Sequence, residues 1–284
     1  MLHNLVIPVD LTDTGKKALE IGSKISKEFN SKVWIITVIE KPNIPFLQEL
    51  PEEERNAVLS LNEKLKSKAI ETLESYKEYL KSKDIEVDYR ILEGDTVESI
   101  LDFCETVHPD LIIMPSHQKS DIELKAIGSV SLRVASKSKH PVLVIKGNLN
   151  FDKIVVAYDF LPSSQEGLQF AVNLAKHFGS QLVVVHADND SNFSHLKSVL
   201  EKVRQHKLEK LSELKNIYED IKLYMEEGNP DKVIIKKAVE EKADLILVGK
   251  RQVKEGKRTF IGSTSYKILK ESAVSVLIYR GNYE

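Results

Sequence analysis

Hydrophobic residues in this chain follow two alternating arrangements. Short, nearly unbroken runs occur at Leu5–Val9, Val33–Ile39, Leu111–Met114 and Val142–Ile145. Between them lie longer stretches in which apolar residues recur at helical spacing, as at Ala18, Leu19, Ile21, Ile25 and Phe29. Glu86–Leu92 alternates apolar and polar, like a strand with one wetter face. Runs rich in Val, Ile and Leu and separated by helices predict parallel strands covered on both sides. The first half of the chain therefore reads β-α-β-α-β-α-β-α-β.

Local signals set the boundaries. Thr12-Asp13-Thr14 offers N-cap candidates and Asn30 a helix stop. Asp95 and Glu98 have the spacing of a capping box, and Pro109 ends that helix. A charged amphipathic stretch from Pro51 to about Lys83 predicts one long helix.

After Gly147-Asn148-Leu149-Asn150 the pattern restarts. Lys153–Asp159 repeats the first strand with its terminal acid, followed by Ser163 or Ser164 as a cap and Gly179 as a stop. Gln181–His186, Ile221–Met225, Leu245–Val248 and Ser275–Tyr279 repeat the other strands, and Gly228-Asn229-Pro230 repeats a helix start. Asp10 and Asp159 are 149 residues apart, whereas Gly94 and Gly228, Asp110 and Asp244, and Gly128 and Gly262 are each 134 apart. One offset for three landmarks implies two copies of one fold, with extra residues in the first copy near Lys41–Lys83. The expected fold class is α/β: two tandem doubly wound five-stranded parallel sheets, strand order 3-2-1-4-5, helices on both faces, in domains 1–147 and 151–284.

Composition narrows the function. A net charge of −2 over 284 residues argues against a nucleic-acid or anionic-membrane binder, and no apolar run is long enough to span a bilayer. The opening Met1–Asp10 reads as a strand, not a signal peptide. A single cysteine, Cys104, in a helical stretch reads as a small buried hydrophobe and suits a reducing cytoplasm.

One stretch carries candidate chemistry. The apolar run ending at Val248 breaks at Gly249 into a loop with Lys250, Arg251, Lys254, Lys257 and Arg258, and closes with Gly262-Ser263-Thr264 at a helix start. A helix N-terminus entered through Gly and Ser suits phosphate. A merely solvated basic connection is the alternative.

Each half resembles the universal stress protein family. The strand-end acid, the Gly-Asp or Gly-Asn before the third helix, the Asp-Leu-Ile run, the Gly-Ser and the final Val-rich strand all sit where that family has them. The resemblance covers essentially the whole chain as a tandem pair. Members that bind ATP share a loop of the form Gly-x2-Gly-x9-Gly-(Ser/Thr). The second copy has Gly249, then Gln252, then Gly262-Ser263, and so loses the middle glycine; the first has Pro115, Gln118 and Gly128-Ser129, and keeps only the last. Proline removes a donor and fixes φ, so the first copy should cradle a triphosphate poorly. Lys250, Arg251 or Lys257 could replace lost backbone donors in the second.

What the resemblance implies is a stress-response protein binding ATP or AMP in the second copy. Asp159 would meet the adenosine part, and Ala187 would line the base through its backbone. Ala157, Val248, Gly249, Lys250, Arg251 and Gln252, with Gly262, Ser263 and Thr264, would complete the site. The weaker first-copy equivalents are Asp10, Val38, Gly128 and Ser129. Magnesium is expected only with the nucleotide, and hydrolysis at most slow. Read without the family, Asp10 and Asp159 equally suit capping of the next helix. The other reading of the chain is an interaction or scaffold protein that uses the fold without ligand.

Other chemistries fit less well. A phosphoacceptor receiver wants acids after its first and third strands and a lysine after its fifth, but the duplicated Asp-Leu-Ile and Gly-Ser segments do not fit it. There is no dinucleotide or Walker loop. His186, His195 and His206 have no metal-ligand spacing and read as polar or solvated positions. Ser129 and Ser263 lack a neighbouring base, and His117 is a lone loop histidine.

Two structural expectations remain. The apolar segment around Asn43–Leu50 should cover apolar surface. The fifth strands, flanked by the charges Lys146 and Arg280, should pair antiparallel with Val144 near Leu277 or Ile278, which makes the chain an intramolecular pseudo-dimer, open to further homodimerisation, with a protein partner still to be identified.

Overall fold

The computed structural model describes residues 2–11, 14–40, 49–116, 127–188, 197–249 and 261–280. The first copy runs β1 (Asn4–Pro8), α1 (Thr14–Phe29), β2 (Lys32–Ile39), α2 (Glu52–Lys81), β3 (Val87–Glu93), α3 (Thr96–Val107), β4 (Leu111–Pro115), α4 (Ser129–Lys137) and β5 (Val142–Ile145). The second runs β6 (Lys153–Ala157), α5 (Pro162–Phe178), β7 (Gln181–Asp188), α6 (Lys197–Glu213), β8 (Ile221–Glu227), α7 (Pro230–Glu240), β9 (Leu245–Gly249), α8 (Ser263–Glu271) and β10 (Ser275–Tyr279).

The chain forms two compact units. The first contains the described residues up to Pro115 together with Ser129–Val134; the second contains those from Ala135 onward, so β5 belongs to it. Strands in the first unit are ordered β3-β2-β1-β4, all parallel. In the second the order is β5-β10-β9-β6-β7-β8, with β10 to β8 parallel and β5 antiparallel on β10. The doubly wound order expected from the sequence is what the second copy shows from β10 to β8, and the first copy repeats it through β4.

The repeated landmarks have local causes. Asp110 Oδ2 accepts from the backbone N–H groups of His3 and Asn4, at 2.6 and 2.9 Å. Asp244 does the same for Asn150, Asp152 and Lys153. Each carboxylate thus pins the start of its copy's first strand beside the fourth. Gly94 and Gly228 have φ of 139° and 135°, a region closed to residues with a Cβ. Asp95 Oδ1 then accepts from Val97 and Glu98 N–H, each at 3.0 Å, as a helix N-cap does. Asn30 and Gly179 stop their helices at φ of 53° and 69°.

Two sequence expectations need correction. Neither Ser163 nor Ser164 caps α5, which starts two residues earlier than a Ser163 cap would set it, with Pro162 in its first turn and Leu161 at the N-cap. The fifth strands do pair antiparallel, but Val144 faces Val276, one residue off the expected register. The flanking charges Lys146 and Arg280 are buried, 2% and 5% exposed. Lys146 Nζ donates to the carbonyls of Leu269 and Ser272 at the end of α8, at 2.6 and 2.7 Å. Arg280 donates to those of Ala135 and Ser136 at the end of α4, at 3.2 and 2.9 Å. Each cation meets the negative end of a helix, and burial pulls the Lys146 ammonium down to about 8.

Cys104 is buried in α3 and its thiol is pushed up to about 12 by burial, which makes it inert. The Asn43–Leu50 expectation lies mostly outside the described residues, as do Thr12 and Asp13.

Candidate functional site

In the second unit the sheet's winding reverses between β6 and β9, and ligands of such sheets sit beyond the strand ends there. A pocket of about 380 Å³ opens at that place. The end of β6 and the two residues after it contribute Ala157, Tyr158 and Asp159; β7 contributes Val185, His186 and Ala187; β9 contributes Val248 and Gly249; the N-cap and start of α8 contribute Gly262, Ser263 and Thr264. The structure therefore brings together Ala157, Asp159, Ala187, Val248, Gly249, Gly262, Ser263 and Thr264. Lys250, Arg251 and Gln252 lie outside the described residues, as do Lys254, Lys257 and Arg258.

The two glycines of the loop differ in kind. A Cβ on Gly249 would stand 2.6 Å from the Ser163 carbonyl oxygen and 2.8 Å from its carbon. Glycine is required there by the approach of β9 to the start of α5. Gly262 has φ −64°, open to any residue, and a Cβ there would meet none of the described residues within 4 Å. Nothing among the described residues calls for glycine at Gly262, which stands at the pocket's edge. Ser265 Oγ reaches the Gly249 carbonyl at 3.5 Å, and Ser131 Oγ reaches that of Pro115 at 2.7 Å. Both copies therefore tie the fourth strand's end to the fourth helix.

Asp159 lines the pocket, and its Oδ1 accepts from Leu161 N–H at 3.1 Å, which shapes the turn into α5 without capping the helix. Its backbone N–H donates to Ser164 Oγ at 3.3 Å.

Among the wall residues that the sequence reading did not assign to the site are Tyr158, His186 and Lys207. Burial pushes the Tyr158 phenol up. His186, read as a polar or solvated position, is buried and polar: its Nδ1 is 2.9 Å from the Tyr158 carbonyl, so Nδ1 carries the proton. Its Nε2 is buried without a hydrogen-bond partner among the described residues. Phe160 packs edge-on against both rings, at 5.0 and 4.8 Å. Lys207, from α6, completes the wall, with Nζ 2.9 Å from Asp188 Oδ1. His206 is an exposed residue of α6, and His195 lies outside the described residues. No group of three or more metal-binding side chains occurs among the described residues.

In the first copy Val38 lies in β2, Asp10 two residues past β1, and Gly128 directly before Ser129, the first residue of α4. Pro115 ends β4 where Gly249 ends β9, and Ile39 stands at the position of Asp188. Gln118 and His117 lie outside the described residues.

Comparison with known proteins agrees with this architecture. The model of the universal stress protein family matches twice, over residues 1–146 and 150–280. Universal stress protein MJ0531 of Methanocaldococcus jannaschii is 33% identical over 146 residues, covering 51% of this chain and 83% of that protein. Universal stress protein MJ0577 of the same organism is 28% identical over 158 residues, covering 51% and 96%. The crystal structure of a universal stress protein from Archaeoglobus fulgidus superposes over 98% of both chains with a TM-score of 0.73 at 24% identity, which shows a shared fold. The chain belongs to the universal stress protein family and carries the family's domain in tandem.

Proposed function

We propose that this tandem universal stress protein binds an adenine nucleotide, ATP or AMP, through its second domain (151–284), while its first (1–147) does not. The observation that carries the proposal is Gly262. Neither its φ nor any of the described residues around it calls for glycine, and it opens α8 beside a pocket at the sheet's switch point. A phosphate needs that open space, together with the N–H groups and positive dipole end of the helix. Asp159 and Ala187 stand on the other side of the pocket, where a nucleoside would extend. Gly249 supports the reading less, because packing alone accounts for it. Magnesium would enter only with the nucleotide's phosphates, and the role served is a stress response.

Calorimetric titration of ATP and AMP into the full chain and into Gly262→Val tests the proposal. One site in the wild type, lost in the variant, is the expected result. Two equivalent sites, or equal binding by both proteins, would overturn it. Wild-type protein that takes up neither nucleotide would favour the reading as a ligand-free interaction protein.

A further inference from the structure

We infer that Lys207, held by Asp188, is a contact for the nucleoside end of the ligand, donating to an acceptor atom of the base or sugar. This rests on the nucleotide reading above.

The cations of α6 behave differently from one another. The side chains of Arg204 and Lys210 are 45% and 50% exposed and lean on the exposed carboxylates Glu227 and Glu213. The Lys207 side chain is 21% exposed, turns inward and lines the pocket. Its anchor, Asp188, is 7% exposed and is the last residue of β7, directly after Ala187. A buried carboxylate thus fixes the ammonium at the pocket wall. An ammonium carries three donors, more than a single carboxylate oxygen takes up.

Strand order fixes which end of the ligand it meets. β7 and β9 flank β6 on opposite sides, so their ends are roughly 10 Å apart. Phosphates at Gly262 and the start of α8 belong to the β9 side. Lys207, tied to the end of β7, stands on the far side with Ala187. The first copy has Ile39 where the second has Asp188, so it has no carboxylate at that position to hold a cation.

The test is calorimetry on the full chain with adenosine, AMP and ATP. Lys207→Met should weaken all three by one common factor, about tenfold for loss of a charged donor. Lys207→Arg should recover part of it, and Asp188→Asn should lose part. Because Lys207→Met leaves Asp188 buried without this partner, the double variant Lys207→Met/Asp188→Asn provides the same measurement on a chain without that charge. Among analogues, 2′-deoxyadenosine removes a sugar acceptor, while 3-deazaadenosine and 7-deazaadenosine remove base acceptors. The analogue that wild type binds more weakly, but Lys207→Met does not, identifies the atom. A loss that grows with phosphate number, or no loss in either the single or double variant, would overturn the inference while leaving the nucleotide reading standing. A wild type that binds none of the three would overturn both.

Discussion

The ends of β4 and β9 occupy the same place in the two copies, yet one closes on Pro115 and the other on Gly249. From sequence the difference looked like loss of a ligand loop in the first copy. The structure gives it another meaning. Gly249 yields to the backbone of Ser163 at the start of α5, whereas the first copy places a glycine, Gly15, on the helix itself, at the position of Ser164, tight against Val9 and the Asp10 carbonyl. Each copy uses a glycine near this crowded corner, but on a different element. A glycine in a binding motif is evidence for a ligand only when the fold does not need it, and Gly262 meets that condition while Gly249 does not.

The largest effect should come from Gly249→Val. Backbone atoms at 2.6 and 2.8 Å cannot move aside cheaply, so about 3 kcal/mol of stability should be lost, seen as a fall in urea midpoint. Pro115→Gly, its counterpart, should change stability by only about 1 kcal/mol, through the freer unfolded chain. Similar losses at both sites would break the comparison.

Next is the pair Lys146 and Arg280, equivalent positions 134 residues apart that differ in their ability to give up a proton. The Lys146 ammonium titrates at about 8 in the folded protein against the usual 10.5. Between those values the unfolded chain holds more protons, so raising the pH favours the folded state. Stability should climb by about 2–3 kcal/mol from pH 8 to 10.5, with no contribution to slope below pH 8 from this group. Lys146→Met should flatten the climb in denaturation curves taken across that range. A variant with the wild-type slope would remove Lys146 as its cause.

Gly262→Val sharpens the contrast with Gly249. Its stability should stay within about 1 kcal/mol of wild type, while nucleotide affinity drops at least tenfold, about 1.4 kcal/mol. Smallest is the strand-end acid. Asp159→Asn should weaken binding about fivefold, and Asp10→Asn should leave it unchanged, as read by the same titration.

Periodicity and the repeat made the strands legible, because each signal is local or recurs at a fixed offset, while the switch point and the family resemblance supplied eight of the pocket's residues. What escaped depends on neighbours far along the chain. Lys207 sits on a helix that reads as a solvated charged face, and only Asp188 shows that this lysine turns inward. Lys146 and Arg280 looked like edge charges because their helix ends lie 123 and 144 residues away by the closest hydrogen bonds. The pairing of β5 with β10 followed from their exposed edges, but its register followed from nothing local, since Val142-Leu-Val-Ile145 presents an apolar residue at every step.

That exchange of strand and cation bears on how the polypeptide would behave if cut. Although β5 precedes the Gly147–Asn150 connector in the chain, it is hydrogen-bonded along β10, and Lys146 is bolted under α8. A protease nick within the connector would therefore break a peptide bond without freeing either fragment. The two pieces should elute together from a sizing column and separate only in denaturant. The connector's contribution is to hold the partners at high effective concentration, and the contacts themselves do not depend on it.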